Sequence, residues 1–266
     1  MRLVAVCLVA LLATRTLAAV GDVTIGDYRA VVEAPDMDVF RLFHSGVVVR
    51  EIDDFLRLSI GAPLDSPSPM VAPGTDVNGD GTPDLVLFGW SGGAHCCFTT
   101  WVFSLGAQFE ELAVVPGEYT EVRVEQRDDD AALEFVVRDW ACAYWPYGFA
   151  GSPSVEVVLD WQGKSLVPSR QLTERCIEPL GDLKEQSGVL AASASWATSS
   201  GGPLDAIFEK ALCAVYLGEA RVAYEFIGDS WGGSRSEMVG LSVEFGRLLA
   251  KSHYLRAIEA QREAQR

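Results

Sequence analysis

With 266 residues, 49% of them hydrophobic, the chain is long enough for one large domain or two small ones with a real core. Asp and Glu number 37 against 21 Lys and Arg, a formal net charge of −16 with no basic cluster to offset it. Such a surface repels phosphate backbones and anionic lipid, which argues against nucleic acid as a partner, and it suits divalent cations.

The chain opens on Arg2, an apolar stretch from Leu3 to Ala13 and the small-residue run Thr16-Leu17-Ala18-Ala19, the pattern of a cleaved secretory signal over residues 1–19. Arg15 interrupts the apolar run short of the roughly 20 residues that a membrane span requires. The expected product is exported, periplasmic in a two-membrane host and secreted otherwise, with no membrane span after cleavage.

From Val23 to Pro168 short alternating runs are broken by Gly, Pro and Asp, which predicts strands and hairpins. In chain order the runs are Val39–Phe43, Val47–Ile52, Leu85–Phe88, Thr99–Leu105, Phe109–Val115, Glu121–Glu125, Leu133–Val137 and Val155–Trp161. After Gly181 the period changes. Leu204, Ile207, Phe208, Ala211, Leu212, Val215 and Tyr216 recur at helical spacing behind Gly202-Pro203. A capping box at Ser234–Glu237 precedes a second stripe, Met238, Leu241, Phe245, Leu248 and Leu249, and the tail from Tyr254 to Arg266 reads as a solvated helix. The prediction is α+β: a β-rich region over 20–180, a linker over 181–201 and a small helical domain over 202–266.

An internal repeat emerges when the glycines are aligned. Phe40 to Val49 parallels Trp101 to Phe109 and Val157 to Leu166, each a strand, a tight Gly turn and a strand, at a period of about 57–60 residues. Between these hairpins, Asp76-x-Asn78-x-Asp80-x-x-x-Asp84 has an echo in Gln126-x-Asp128-x-Asp130-x-x-x-Glu134.

The first of these loops carries the chemistry. Calcium takes six to eight hard oxygens, and alternate residues of a tight loop can turn theirs inward. Asp76, Asn78, Asp80 and Asp84 supply side-chain oxygens and Thr82 a carbonyl, while Gly79 and Gly81 permit the turn. An EF-hand is rejected, because Leu87 stands where its terminal Glu belongs and a strand-like run follows. The loop resembles instead the calcium loops of FG-GAP and VCBS repeats, found in the blades of integrin-α-like β-propellers. That resemblance covers Asp76 to Leu87 firmly and Gln126 to Val137 weakly. It implies a calcium cofactor and a non-catalytic module with a structural role or one that recognises a protein or glycan. Propellers of that kind have about seven blades, whereas this chain has room for two or three blade-like repeats, so a partial β assembly is expected in place of a closed ring. In the echo, Gln126 and Glu134 replace aspartates and Ala131 replaces a glycine, so it reads as a solvated acidic turn, with a weak ion on Asp128, Asp129 and Asp130 as the other reading.

The alternative is an exported metal-redox protein or enzyme centred on His95, Cys96 and Cys97, within the Gly-rich stretch from Trp90. No His-Glu-x-x-His motif or phosphate-cradling Gly loop is present, and His44, His95 and His253 are scattered. Beyond Cys7 in the leader, five cysteines remain. The expected disulfides are Cys96 or Cys97 with Cys142, and Cys176 with Cys213, which would close about 36 residues for about 3–4 kcal/mol. The aromatic run from Trp140 to Phe149 reads as core between the last two β units, the alternative being a surface patch that recognises sugar or protein.

Overall fold

The computed structural model describes residues 19–34, 36–65, 71–93, 96–146, 148–192 and 202–266. All but the last residue of the expected leader, His95 and most of the second half of the expected linker therefore lie outside the described residues, while Ala19 opens β1. Among those described, twelve strands make three four-stranded antiparallel sheets, each a meander whose sequence neighbours pair in space. Sheet one holds β1 (Ala19–Ile25), β2 (Tyr28–Glu33), β3 (Asp38–His44) and β4 (Val47–Phe55). Sheet two holds β5 (Arg57–Ile60), β6 (Asp84–Trp90), β7 (Phe98–Leu105) and β8 (Phe109–Glu118). Sheet three holds β9 (Arg123–Glu125), β10 (Glu134–Asp139), β11 (Val155–Gln162) and β12 (Ser165–Pro168). The three aligned hairpins of the sequence are β3–β4, β7–β8 and β11–β12, the last two strands of each sheet.

Side-chain alternation explains how the sheets stack. In β6, Leu85 and Leu87 pack with Trp101 and Phe103 of β7 against Phe40 and Leu42 of sheet one. Their neighbours Val86 and Phe88 point the other way, into a core shared with Val124, Phe135, Val157 and the helices. Sheet two is thus covered on both faces, and Asp84 through Gly89 are all buried. The unbroken Leu-Val-Leu-Phe run has this cause, since a strand buried on both sides needs no polar alternate. Gly89 is required by the same crowding: a Cβ there would lie 2.7 Å from the Trp101 ring and 2.9 Å from Phe55.

Six helices follow or flank the third sheet: α1 (Arg170–Cys176), α2 (Leu183–Ala191), α3 (Pro203–Tyr216), α4 (Ala220–Asp229), α5 (Arg235–Leu249) and α6 (His253–Ala264). Pro203 sits at the first turn of α3, where its missing N–H is harmless. Ser234 caps α5 by accepting from the Glu237 amide at 3.3 Å. The helices have no core of their own. Phe208, Phe245, Leu255 and Ile258 share one core with sheets two and three, and Trp145 contacts Phe208 and Phe245 at ring distances of 4.5 and 5.8 Å. The tail expected to be solvated buries Tyr254, Leu255 and Ile258 on one face, and α2 occupies part of the expected linker. Among the described residues no helix is long and apolar enough to cross a membrane.

A buried polar knot fastens the helices to sheet three. Asp139, at the end of β10, is 5% exposed and accepts from the Ala141 amide at 2.8 Å, the Ser252 hydroxyl at 2.5 Å and the Tyr216 hydroxyl. Burial, and then the negative charge of Asp139, push the Tyr216 phenol well above its ordinary range, so it stays a donor.

Candidate metal centre

The two acidic turns occupy the same place in successive sheets, each joining the first strand to the second: 61–83 leads β5 into β6, and 126–133 leads β9 into β10. In the first turn, Asn78 Oδ1 accepts from the Asp80 amide at 3.1 Å and Asp80 Oδ1 from the Thr82 amide at 2.8 Å. Asp84 Oδ2, reaching back from β6, accepts from the Val77 amide at 2.9 Å. Fifty residues on, Asp128 Oδ1 accepts from the Asp130 amide at 3.0 Å and Asp130 Oδ1 from the Ala132 amide at 2.8 Å. Glu134 Oε2 accepts from the Arg127 amide, as Asp84 does from Val77. These short-range carboxylate–amide bonds are what Asp and Asn offer a turning backbone.

The turns also touch. The Leu133 amide donates to the Val77 carbonyl at 2.9 Å, and Gly79 lies against Ala131 and Ala132.

The five residues expected to hold calcium have different situations. Asp76 uses both oxygens on backbone amides, Oδ1 on Gly79 at 2.8 Å and Asp80 at 3.1 Å, Oδ2 on Gly81 at 2.7 Å. Asn78 is 8% exposed and its amide nitrogen donates to Asp80 Oδ2 at 3.2 Å. The Thr82 hydroxyl and amide hold the Asp80 carboxyl below its usual range, so it is ionised. Asp84 is 1% exposed, and its Oδ1 has no hydrogen-bond partner. Burial, reinforced by Asp76 and Asp80, pushes its carboxyl up to about 6, against the opposing pull of the Val77 amide and of Ser104, its cross-strand neighbour.

Among the described residues, the set of three carboxylates whose oxygens all lie within 4.8 Å belongs to the other turn: Asp128, Asp130 and Glu134. This triad can hold a metal ion. Asp130 is exposed, as a solvated turn would have it, but Glu134 is fully buried and its Oε1 is unpartnered. Burial, then Asp128 and Asp130, raise the Glu134 carboxyl above its ordinary range. Asp160 on β11 adjoins Leu159, the cross-strand partner of Phe135, which sets a fourth carboxylate beside Glu134, and burial, then the same two aspartates, raise it above its ordinary range. Sequence reasoning misses Asp160 because it arrives from a distant strand, and nothing in its local spacing signals it.

The cysteine expectations are corrected. Cys96 pairs with its neighbour Cys97, and Cys142, Cys176 and Cys213 are thiols. Cys142 is 1% exposed inside the core shared with the helices, whereas Cys97 precedes the start of β7, with its amide on Ser91 Oγ at 3.1 Å. Burial pushes the Cys142 thiol up to about 12. Cys176 and Cys213 line one cleft between α1, β11 and α3. The Cys96–Cys97 bond takes up the two sulfurs that a soft metal would need, and His95 lies outside the described residues. No Gly-x-Ser-x-Gly elbow is expected, yet Gly89 to Gly93 spells that pattern. Here it ends β6 and runs on toward the antiparallel β7, not into the helix that a nucleophile elbow requires.

The aromatic run divides. Trp145 is packed among the helices as expected of core, but Trp140 and Phe149 stack at 5.0 Å and gather Tyr119 and Tyr144 into a partly exposed group, Tyr144 at 52%. Comparison with protein-family models, curated proteins and solved structures finds no match for this chain.

Proposed function

We propose that the chain is an exported, non-catalytic β-repeat module in which calcium, held by the Asp76–Asp84 turn, stabilises the junction of β5 and β6, and whose exposed aromatic group meets a protein or glycan partner. The observation that carries the reading is the Asp84 carboxylate, 1% exposed with Oδ1 unpartnered and two further aspartates close by. A buried carboxylate without a counter-charge is costly, and a hard divalent ion removes that cost while filling the empty lone pairs. The donors are all oxygens, which selects calcium or magnesium over zinc or copper, and a loop of mixed carboxylate and amide donors suits the more flexible calcium sphere. The likeness of Asp76 to Leu87 to FG-GAP and VCBS loops supports the same ion.

Thermal unfolding tests this. At about 1 mM calcium, a site of about 10⁻⁴ M adds about 1.4 kcal/mol, or about 3–6 °C in Tm for a chain of this size. Wild type should show that rise over chelator and Asp80→Ala should lose it; equal melts in calcium and chelator contradict the reading. The Cys96–Cys97 bond favours one competitor, a redox protein. That competitor requires the pair to open under mild reductant and to drive electron transfer to a dithiol or disulfide substrate.

A further inference from the structure

We propose that the Gln126–Glu134 turn is a second divalent-cation site, formed by Asp128, Asp130 and Glu134 with Asp160 at its edge. It uses none of the residues of the first turn, so either site can exist without the other.

Glu134 is fully buried, yet among the described residues it makes no ion pair, and only one of its oxygens is partnered. Arg127 gives Glu134 its backbone amide but sends its guanidinium elsewhere, to Glu125 at 2.6 Å and the Cys176 sulfur at 3.7 Å, and Arg138, the nearest basic residue in sequence, turns to Ser154 Oγ at 2.8 Å and Glu156 at 3.6 Å. The protein therefore holds Glu134 in place without neutralising it.

The remaining geometry is that of a cation cup. Asp128, Asp130 and Glu134 each bring an oxygen within 4.8 Å of the others, a separation that one ion with oxygen distances of about 2.3–2.6 Å can bridge. Like charges held this close repel, and one divalent ion among them turns that repulsion into attraction. The carboxylates are kept from turning apart into solvent by the bonds they already make: Asp128 and Asp130 each have one oxygen on a backbone amide, of Asp130 and Ala132, while Gln126 clamps the carbonyls of Asp130 and Ala132 at 2.9 and 3.0 Å. An all-oxygen set carrying three or four negative charges takes a hard divalent ion, and calcium is the one an exported protein meets at millimolar concentration.

Calcium content per chain after equilibrium dialysis, measured on the whole protein by elemental analysis, tests the proposal. Wild type should hold two ions, and Asp130→Asn and Asp80→Asn one each. A single ion that survives Asp130→Asn and is lost in Asp80→Asn overturns the second site and leaves the first. A single ion lost in Asp130→Asn and kept in Asp80→Asn supports the second site and removes the first; no ion at all overturns both. A second readout avoids altering any ligand of this turn. The Trp161 indole donates to the Leu133 carbonyl at 3.1 Å, beside the turn. In the Asp80→Asn background, terbium should give tryptophan-sensitised emission that Trp161→Phe largely abolishes, and emission unchanged by Trp161→Phe overturns the site.

Discussion

Asp139 and Asp84 are both buried carboxylates at the end of a strand, and they are treated in opposite ways. Asp139 is surrounded by donors, the Ala141 amide and the Tyr216 and Ser252 hydroxyls, so the fold supplies its stabilisation internally. Asp84 and its counterpart Glu134 each receive one backbone amide, keep one oxygen unpartnered and face further aspartates. Burial alone therefore does not mark a cation ligand. What distinguishes a ligand from a structural acid is the unfilled lone pair beside other carboxylates.

The contrast can be broken most forcefully at Asp139. Asp139→Ala strands two buried hydroxyls and should cost about 3 kcal/mol or more in urea unfolding, equally in calcium and in chelator. A loss that calcium repairs would mean that the knot, too, belongs to the cation site.

The next effect is on pH. The Asp84 carboxyl lies at about 6 in the folded protein, above the 3.8 ordinary for Asp, so the folded state binds its proton more tightly than the unfolded state. Calcium-free protein should therefore gain stability as pH falls from 7 toward 4, by up to about 3 kcal/mol from this group. Calcium should weaken or reverse that trend, because the ion requires the ionised carboxylate. Denaturant midpoints across this range, with and without chelator, read both slopes. At pH 7.5 in chelator, Asp84→Asn should be more stable than wild type by about 1–2 kcal/mol, since it removes a buried charge, and its calcium-induced rise in Tm should vanish.

The smallest expected effect separates the two turns from each other. They share three side-chain-to-backbone-amide bonds but not the backbone between them: Gly79 and Gly81 have φ of +73° and +85°, while Asp129 and Ala131 do not have positive φ. Gly79→Ala should cost about 1 kcal/mol, and Asp129→Ala less than about 0.5 kcal/mol, both by urea unfolding. Equal losses would mean that the turns share one backbone path after all.

These contrasts also show what was legible beforehand. β3, β4 and β6 to β8 were readable because alternating or continuous apolar runs end in Gly and Asp turns, and α3 and α5 because apolar stripes follow Pro203 and Ser234. β1 was hidden behind the expected leader boundary, and β5 and α1 are too short for a period to declare itself. α6 misled because Tyr254, Leu255 and Ile258 stand among Arg, Glu and Gln, so its buried face is narrow. At the site, the spacing from Asp76 to Asp84 identified the turn and its echo. It could not show that Asp76 turns its oxygens onto amides, or that Glu134, not a surface aspartate, is the buried member of the second turn. Those outcomes depend on how sheets two and three stack, and the Val77–Leu133 hydrogen bond that joins the turns links residues 56 apart. The expected long-range cysteine pairings were unreadable for the same reason, since they depend on spatial proximity, whereas the observed pair joins sequence neighbours.

The most direct test is crystallographic: anomalous diffraction from crystals saturated with calcium or terbium. The account predicts a peak about 2.3–2.6 Å from Asp84 Oδ1, with Asp80 and Asn78 turned onto it. At saturation, an absent peak and an Asp84 Oδ1 bonded only to protein or water would contradict it.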